Sequence, residues 1–277
     1  MSDIVKDYIY PITYISDCQD FNTQGRLKAR VASYFPSSNV NFVGVSNDVE
    51  AAINLVDIVD AYDGQPGVIL ANVAPRHGKA KIKWENGTPF GHFKLGVLDI
   101  FTTIDGYTLS LLQKVLKHDI VVNVYDIPSV VPHMGLPEDV QERIINTQFR
   151  SLDYLPRLAA AIMAGKDLPI TETFSAMPKM PHKVCWIDSF GNIKTNILPE
   201  EIDFKVGESR VLRVGDNKQF YLPCHNRLKD IPEKQVALTV GSSGYEDKRF
   251  VEIMQQGKSA VKRLAVKTGL TLEYIKE

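Results

Sequence analysis

The chain has 277 residues, 44% apolar and 23% charged, which suits a globular enzyme of two modest domains or one large one. A formal net charge of -1 without a long basic run excludes nucleic acid as a main partner, and three scattered cysteines without a CxxC predict a reducing compartment. No window approaches the roughly 18 to 20 apolar residues of a membrane span, and residues 1–7 lack a signal-peptide layout, so the expectation is a cytoplasmic protein with no membrane partner.

Tyr10–Ile15 reads as a strand ending at Ser16-Asp17, Gln24–Tyr34 as a helix and Val40–Val45 as a second strand. Glu50–Ala61 is an amphipathic helix with Ile53, Val56, Val59 and Asp60 at helical intervals, and Gly67–Val73 is a third strand. This alternation predicts an α/β fold with a mainly parallel sheet. Gly106–Leu116 and Asp153–Ala164 read as further helices, the second closed by Gly165. From Thr171 to Lys183 the pattern collapses around Pro178, Pro181 and two methionines. The expected boundary lies there, between an N-terminal α/β domain (1–175) and a smaller β-rich C-terminal domain (180–277). Short strands follow, punctuated at Gly191-Asn192, Gly215, Gly241 and Gly257. The charge-rich helical faces Glu138–Arg143 and Lys258–Lys267 read as solvated.

Two polar strings stand out. Asp188-Ser-Phe-Gly-Asn-Ile-Lys-Thr-Asn-Ile197 follows the apolar strand Val184–Ile187, and Val240-Gly-Ser-Ser-Gly-Tyr245 follows the apolar run Val236–Val240. Both read as loops with more polar groups than packing needs. In an α/β sheet ligands collect at the carboxyl ends of the strands, which here carry Ser16-Asp17, Ser46–Asp48 and the segment from Ala74 to Lys79. An ionised Asp17 can accept two hydrogen bonds from a ribose diol, or it can cap the following helix or turn. Arg76, His77, Lys79 and Lys81 set three cations around one imidazole. The five other histidines show no metal-ligand spacing, so no metal is expected, and the lack of a P-loop and of a strand-linked GxGxxG argues against nucleoside triphosphate or dinucleotide sites of those kinds.

In this order and spacing the two strings resemble the C-terminal domain of the S-adenosylmethionine hydroxide adenosyltransferase family, whose relatives include fluorinating and chlorinating adenosyl transferases. The resemblance is strongest in the C-terminal third. It implies a small-molecule adenosyl ligand, S-adenosylmethionine being substrate or ligand with no further cofactor. It also implies a homotrimer, with the ligand between the N-terminal domain of one subunit and the C-terminal domain of the next. By the same likeness Asp17 holds the ribose, Asp188 meets the methionine ammonium, Phe190 covers adenine and Asn192 reads its edge. Ser242 and Ser243 receive the carboxylate, while Pro75 and Gly78 keep the frame of a loop that follows the third strand. The family's catalytic aspartate, arginine and histidine fall on Ala74, Lys81 and Arg150. Leu228 stands where an aromatic is usual, and Gly244-Tyr245 follow the serines where halogenating relatives have arginine.

Three readings of that altered loop stay open. His77, with Lys81 and Arg150 at two triad positions, could serve as a new base for attack of water on the 5′ carbon, releasing adenosine and methionine. The basic cluster could instead hold an anion. Or the chain could be a catalytically inactive adenosyl-ligand binder or scaffold.

Overall fold

A computed structural model describes residues 4–75, 84, 87–215 and 218–276. The chain divides into two compact units. The first takes in the chain up to Ala51, Ala61–Leu109 and His118–Met177; the second takes in Ala52–Asp60, Ser110–Lys117 and the chain from Pro178 onward. The second unit thus draws two segments from far upstream, which a linear division of the sequence does not contain.

The first unit is built on one sheet. Its strands are β1 (Ile12–Ser16), β2 (Val40–Gly44), β3 (Gly67–Asn72), β4 (Phe90–Leu95), β5 (Leu98–Thr103), β6 (Val122–Tyr125) and β7 (Glu172–Phe174), in the order β2-β1-β3-β5-β4-β6-β7. β2, β1, β3 and β5 pair in parallel, whereas β4 is antiparallel to both its neighbours and β7 is antiparallel to β6. The sheet is therefore mostly parallel. The reversed strand comes from a hairpin that turns tightly at Gly96-Val97, with Gly96 at φ 58° supplying the positive dihedral the turn needs.

Helix α1 (Phe21–Tyr34) starts where Asp20 accepts the Thr23 N–H, and it buries Leu27 and Val31. These join Ile12 and Tyr14 of β1, Val68 and Leu70 of β3, and Leu155 and Leu158 in one apolar cluster. Helix α2 (Asp48–Ala61) begins where Asn47 Oδ1 accepts the Val49 and Glu50 N–H groups. Helix α3 (Ser110–Val115) starts four residues later than periodicity predicts. The delay has a local cause: Gly106 sits at φ 69°, outside helical backbone. Helix α4 spans Glu138–Ile145. The helix expected over Asp153–Ala164 is α5 (Leu155–Met163), and a separate helical turn, Arg150–Asp153, precedes it; Pro156 has no N–H to carry that turn through and instead opens a new helix.

The second unit is rich in antiparallel β structure. Its strands are β8 (Val184–Ile187), β9 (Ile193–Thr195), β10 (Ser209–Val214), β11 (Lys218–Pro223), β12 (Val236–Tyr245), β13 (Lys248–Gln255) and β14 (Leu272–Ile275). They form two sheets, β12-β13-β9-β8 and β11-β10-β14, around a core that includes Val184, Ile193, Leu212, Leu238 and Val251. A short helix α6 (Ala260–Leu264), capped by Ser259, follows β13.

One expectation is corrected here. Val240–Tyr245 is not a loop after a strand but the second half of β12, bulged between Val240 and Gly244 where it faces β13. Gly241 and Gly244 permit this: a Cβ at Gly241 would lie 1.9 Å from Glu252 Oε1, and Gly244 has φ 141° with Lys248 O only 2.2 Å from the same ideal position. Among the described residues no helix is long and apolar enough to cross a membrane.

Candidate ligand site

In the first unit the chain leaves β1 for β2 on one side and returns to β3 on the other, so strand order reverses between β1 and β3. This is the place where open α/β sheets hold ligands. Asp17 lies at that point, half-buried; its N–H donates to Asn72 O at 3.4 Å and its Oδ2 accepts the Ala74 N–H at 3.3 Å. Cys18 Sγ lies 3.7 Å from Oδ1. The capping alternative for α1 is settled by geometry, since Asp20 and not Asp17 is its N-cap. An ionised carboxylate has about four acceptor sites, so Asp17 bridges the β1 and β3 ends and keeps capacity for a diol.

The neighbouring strand ends bring two further acids, Asp48 from the expected Ser46–Asp48 end and Asp105, which the sequence reading passed over. Asp48 Oδ2 accepts the Tyr107 N–H at 2.9 Å, and a Cβ on Gly106 would lie 2.6 Å from both that oxygen and Pro75 Cγ. Pro75 therefore packs against the β5 end, and only glycine allows that approach at position 106. Asp105 Oδ1 accepts the Gly106 N–H, while its buried Oδ2 has no partner among the described residues. The signal for Asp105 was an acid just beyond the Thr102-Thr103 end of a strand. Ser46 and Asn47 are spent differently: the Ser46 N–H goes to Glu50 and the Asn47 side chain caps α2. Among the described residues no group of three or more His, Cys, Asp or Glu could hold a metal ion.

Arg150 is anchored to backbone. Its Nη1 donates to Thr88 O at 2.8 Å, its guanidinium lies against Gly87, and burial lowers its pKa from the usual arginine value. Ala74 is exposed, has no side-chain polar group, and gives its N–H to Asp17. His77, Gly78 and Lys81, with Arg76 and Lys79, lie outside the described residues.

In the second unit the Asp188–Asn192 turn is built by its own side chains. Asp188 Oδ1 accepts the Phe190 and Asn192 N–H groups at 3.0 and 2.9 Å, and Oδ2 accepts Asn192 Nδ2 at 2.9 Å. Gly191, at φ 83°, lies directly against Ser259, and its carbonyl accepts the Val261 N–H. The turn is thereby held from both sides while Phe190, 78% exposed, projects its ring into solvent. Leu228 is also exposed, in the short turn Leu228–Asp230.

Beneath the turn runs a buried charge chain. Lys194 Nζ is 2.6 Å from Glu252 Oε1 and 4.0 Å from Asp188 Oδ2, and both Lys194 and Glu252 are buried. Glu252 Oε1 also accepts the Ser242 N–H at 3.0 Å, which ties the β12 bulge to β9. Ser243 is buried and its hydroxyl donates to Asp57 Oδ2 at 2.9 Å; the Gly244 N–H donates to Asp57 Oδ1 at the same distance. Ser242 is thus the exposed member of the serine pair. Three residues later on the helix, Asp60 takes a two-pronged pair from Arg249, at 2.7 and 3.0 Å. Lys194 and Asp57 were missed because each reads locally as a single charge beside apolar residues. That oddity is itself the signal of a buried partner.

Burial raises the Asp57 carboxyl from its ordinary 3.8 to about 6, against the lowering effect of the Gly244 and Ser243 hydrogen bonds. The native state therefore holds a proton that the unfolded chain has released. The stability this contributes is complete below pH 3.8 and lost as pH rises through about 6. The expected size is about 3 kcal/mol across that window. Urea denaturation of wild type and Asp57→Asn at several pH values should show the wild-type stability falling from pH 4 to 6 relative to the variant. Parallel profiles would refute this.

Residues 182–273 match the family model described as the SAM hydroxide adenosyltransferase C-terminal domain. No curated protein matches the chain. Among solved structures, an uncharacterized conserved protein from Thermotoga maritima is similar over 95% of this chain and 100% of its own, with a TM-score of 0.68 and 17% identity. A conserved hypothetical protein from Thermus thermophilus covers 96% of this chain and 100% of its own, with a TM-score of 0.60 and 18% identity. At these identities the two structures establish a shared fold.

Proposed function

We propose that the protein binds S-adenosylmethionine or adenosine in the manner of the S-adenosylmethionine hydroxide adenosyltransferases. The observation that carries this reading is the match over residues 182–273, because Asp188, Phe190, Asn192, Ser242 and Ser243 all fall inside it. The exposed Phe190 ring supplies a stacking face for adenine. Asn192 keeps its carbonyl oxygen for the adenine edge, its NH2 being engaged with Asp188. Asp188 orders the turn and sets a negative charge under it, suited to an ammonium group. Asp17 would bind the ribose diol, and a homotrimer would bring the two sets of groups together as the family arrangement implies.

Turnover by the family's own triad is not part of this reading. Ala74 carries no proton-accepting side chain, and Arg150 remains charged near neutral pH and is hydrogen-bonded to backbone. Hydrolysis by another route would need His77 to take the proton of the attacking water. The C5′–S bond would then break with its electron pair passing to sulfur, giving adenosine and methionine.

The test is to incubate purified protein with S-adenosylmethionine and to follow both binding and products. Saturable binding without adenosine or methionine above the no-enzyme rate is the expected result. Equimolar products that vanish in His77→Ala would replace it with the hydrolase reading, and no binding of either ligand would end both.

A further inference from the structure

The second unit contains a concavity of about 640 Å³ lined by Lys234, Gln255, Lys258, Ser259, Lys262 and Arg263. Four of its six lining residues are cationic and none is acidic. Among the described residues, none of the four has an ion-pair partner, although most other arginines and lysines of this unit's β structure are matched, such as Lys194 with Glu252 and Arg249 with Asp60. In a protein of net charge -1 this is a local concentration and not the overflow of a basic chain.

The lysines and arginine are not spread along one face by chance of helix periodicity alone. Lys234 arrives from the turn before β12, where it adopts φ 64° and donates its N–H to Gln256 O. Gln255 Nε2 clamps that same turn by donating to Lys234 O at 2.6 Å. Lys258, Lys262 and Arg263 come from the other wall, where Ser259 caps the turn that carries them. Convergence of like charges from two segments is unfavourable until a counter-anion enters.

We propose that this basic cavity binds an oligophosphate, either the phosphate chain of a nucleotide or free pyrophosphate. Several negative charges are needed to match four cations. Lysine ammonium groups serve phosphate as point charges, and the Arg263 guanidinium offers a planar fork. The volume lies within the usual range for small-molecule sites. The Phe190 turn adjoins the cavity through Gly191 and Ser259, so a nucleotide base has an aromatic face within the same unit. This inference does not rest on the adenosyl reading, since S-adenosylmethionine carries no phosphate and its sulfonium is cationic.

The experiment is calorimetric titration of the full chain with inorganic pyrophosphate and with ATP in magnesium-free buffer at low and high salt. Saturable binding at one site per chain is expected, weakening as salt screens the charges. Lys258→Glu/Lys262→Glu should weaken it at least about tenfold, and Arg263→Gln alone should weaken it several-fold should the double variant fail to fold. Titration of S-adenosylmethionine should give the same result in wild type and in the Lys258, Lys262 and Arg263 variants. Tighter binding of ATP, lost in Phe190→Ala, identifies the nucleotide; equal binding of both identifies the phosphate chain alone. Saturation by neither, or affinities unchanged in the charge variants, overturns the proposal. Loss of S-adenosylmethionine binding with phosphate binding intact would instead overturn only the adenosyl reading.

Discussion

Asp17→Ala is expected to abolish most of the proposed binding of S-adenosylmethionine and adenosine while leaving the fold intact. The carboxylate stands at the β1 and β3 ends and, among the described residues, its one backbone partner is the Ala74 N–H at 3.3 Å, a long contact at an exposed residue. Losing that contact costs about 1 kcal/mol of stability or less. A ribose diol, by contrast, would donate two charge-assisted hydrogen bonds, each worth about 1.5–3 kcal/mol. Even the lower figure for the pair corresponds to about a hundredfold loss of affinity. Asp17→Asn keeps an acceptor for Ala74 and loses the charge, so its affinity should fall between the two. Calorimetric titration of all three proteins checks this, with thermal melting as the control on folding. Equal affinities would move the ribose elsewhere.

Lys194→Met should be the most destabilising single change in the second unit. Glu252 is fully buried, Oε1 is bound to Lys194 and two backbone N–H groups point at it, while Oε2 has no partner among the described residues. Removing the ammonium leaves a buried carboxylate without its counter-charge, at a cost of about 3–5 kcal/mol. Chemical denaturation measures the loss directly. Adding Glu252→Gln should recover part of it, because the neutral amide no longer needs the lysine and still offers an oxygen to Ser242. A double variant that is less stable than Lys194→Met would show that Glu252 stabilises the unit by some means other than this pair. Because the same network holds the β12 bulge and lies under the Asp188 turn, Lys194→Met should also weaken adenosyl binding.

Much of the first unit was legible without coordinates. β1, α1, β2, α2 and β3 each carry a local apolar period, and the ends found by periodicity lie within a few residues of those observed. Composition could not show the reversed strand β4, since a hairpin strand buried in a mixed sheet has the same apolar character as its parallel neighbours. The bulged half of β12 was hidden for a related reason: Gly241-Ser-Ser-Gly244 has the residues of a loop, and only pairing with β13 makes it a strand.

For the candidate site, the sequence by itself determined which residues are candidates for ligand contact: an aspartate at the first strand end, an acid and amide around Phe190, two serines between glycines. Motif spacing is a local property and survives in one dimension. Tertiary structure alone decided how those groups are spent. Asp188 folds back on its own turn, Ser243 is bound to Asp57, and Lys194 is neutralised by Glu252. Each outcome depends on strand register and on segments far apart in the chain, 186 residues apart for Ser243 and Asp57. A buried charge must find its partner wherever folding brings one, and no local pattern specifies where that will be.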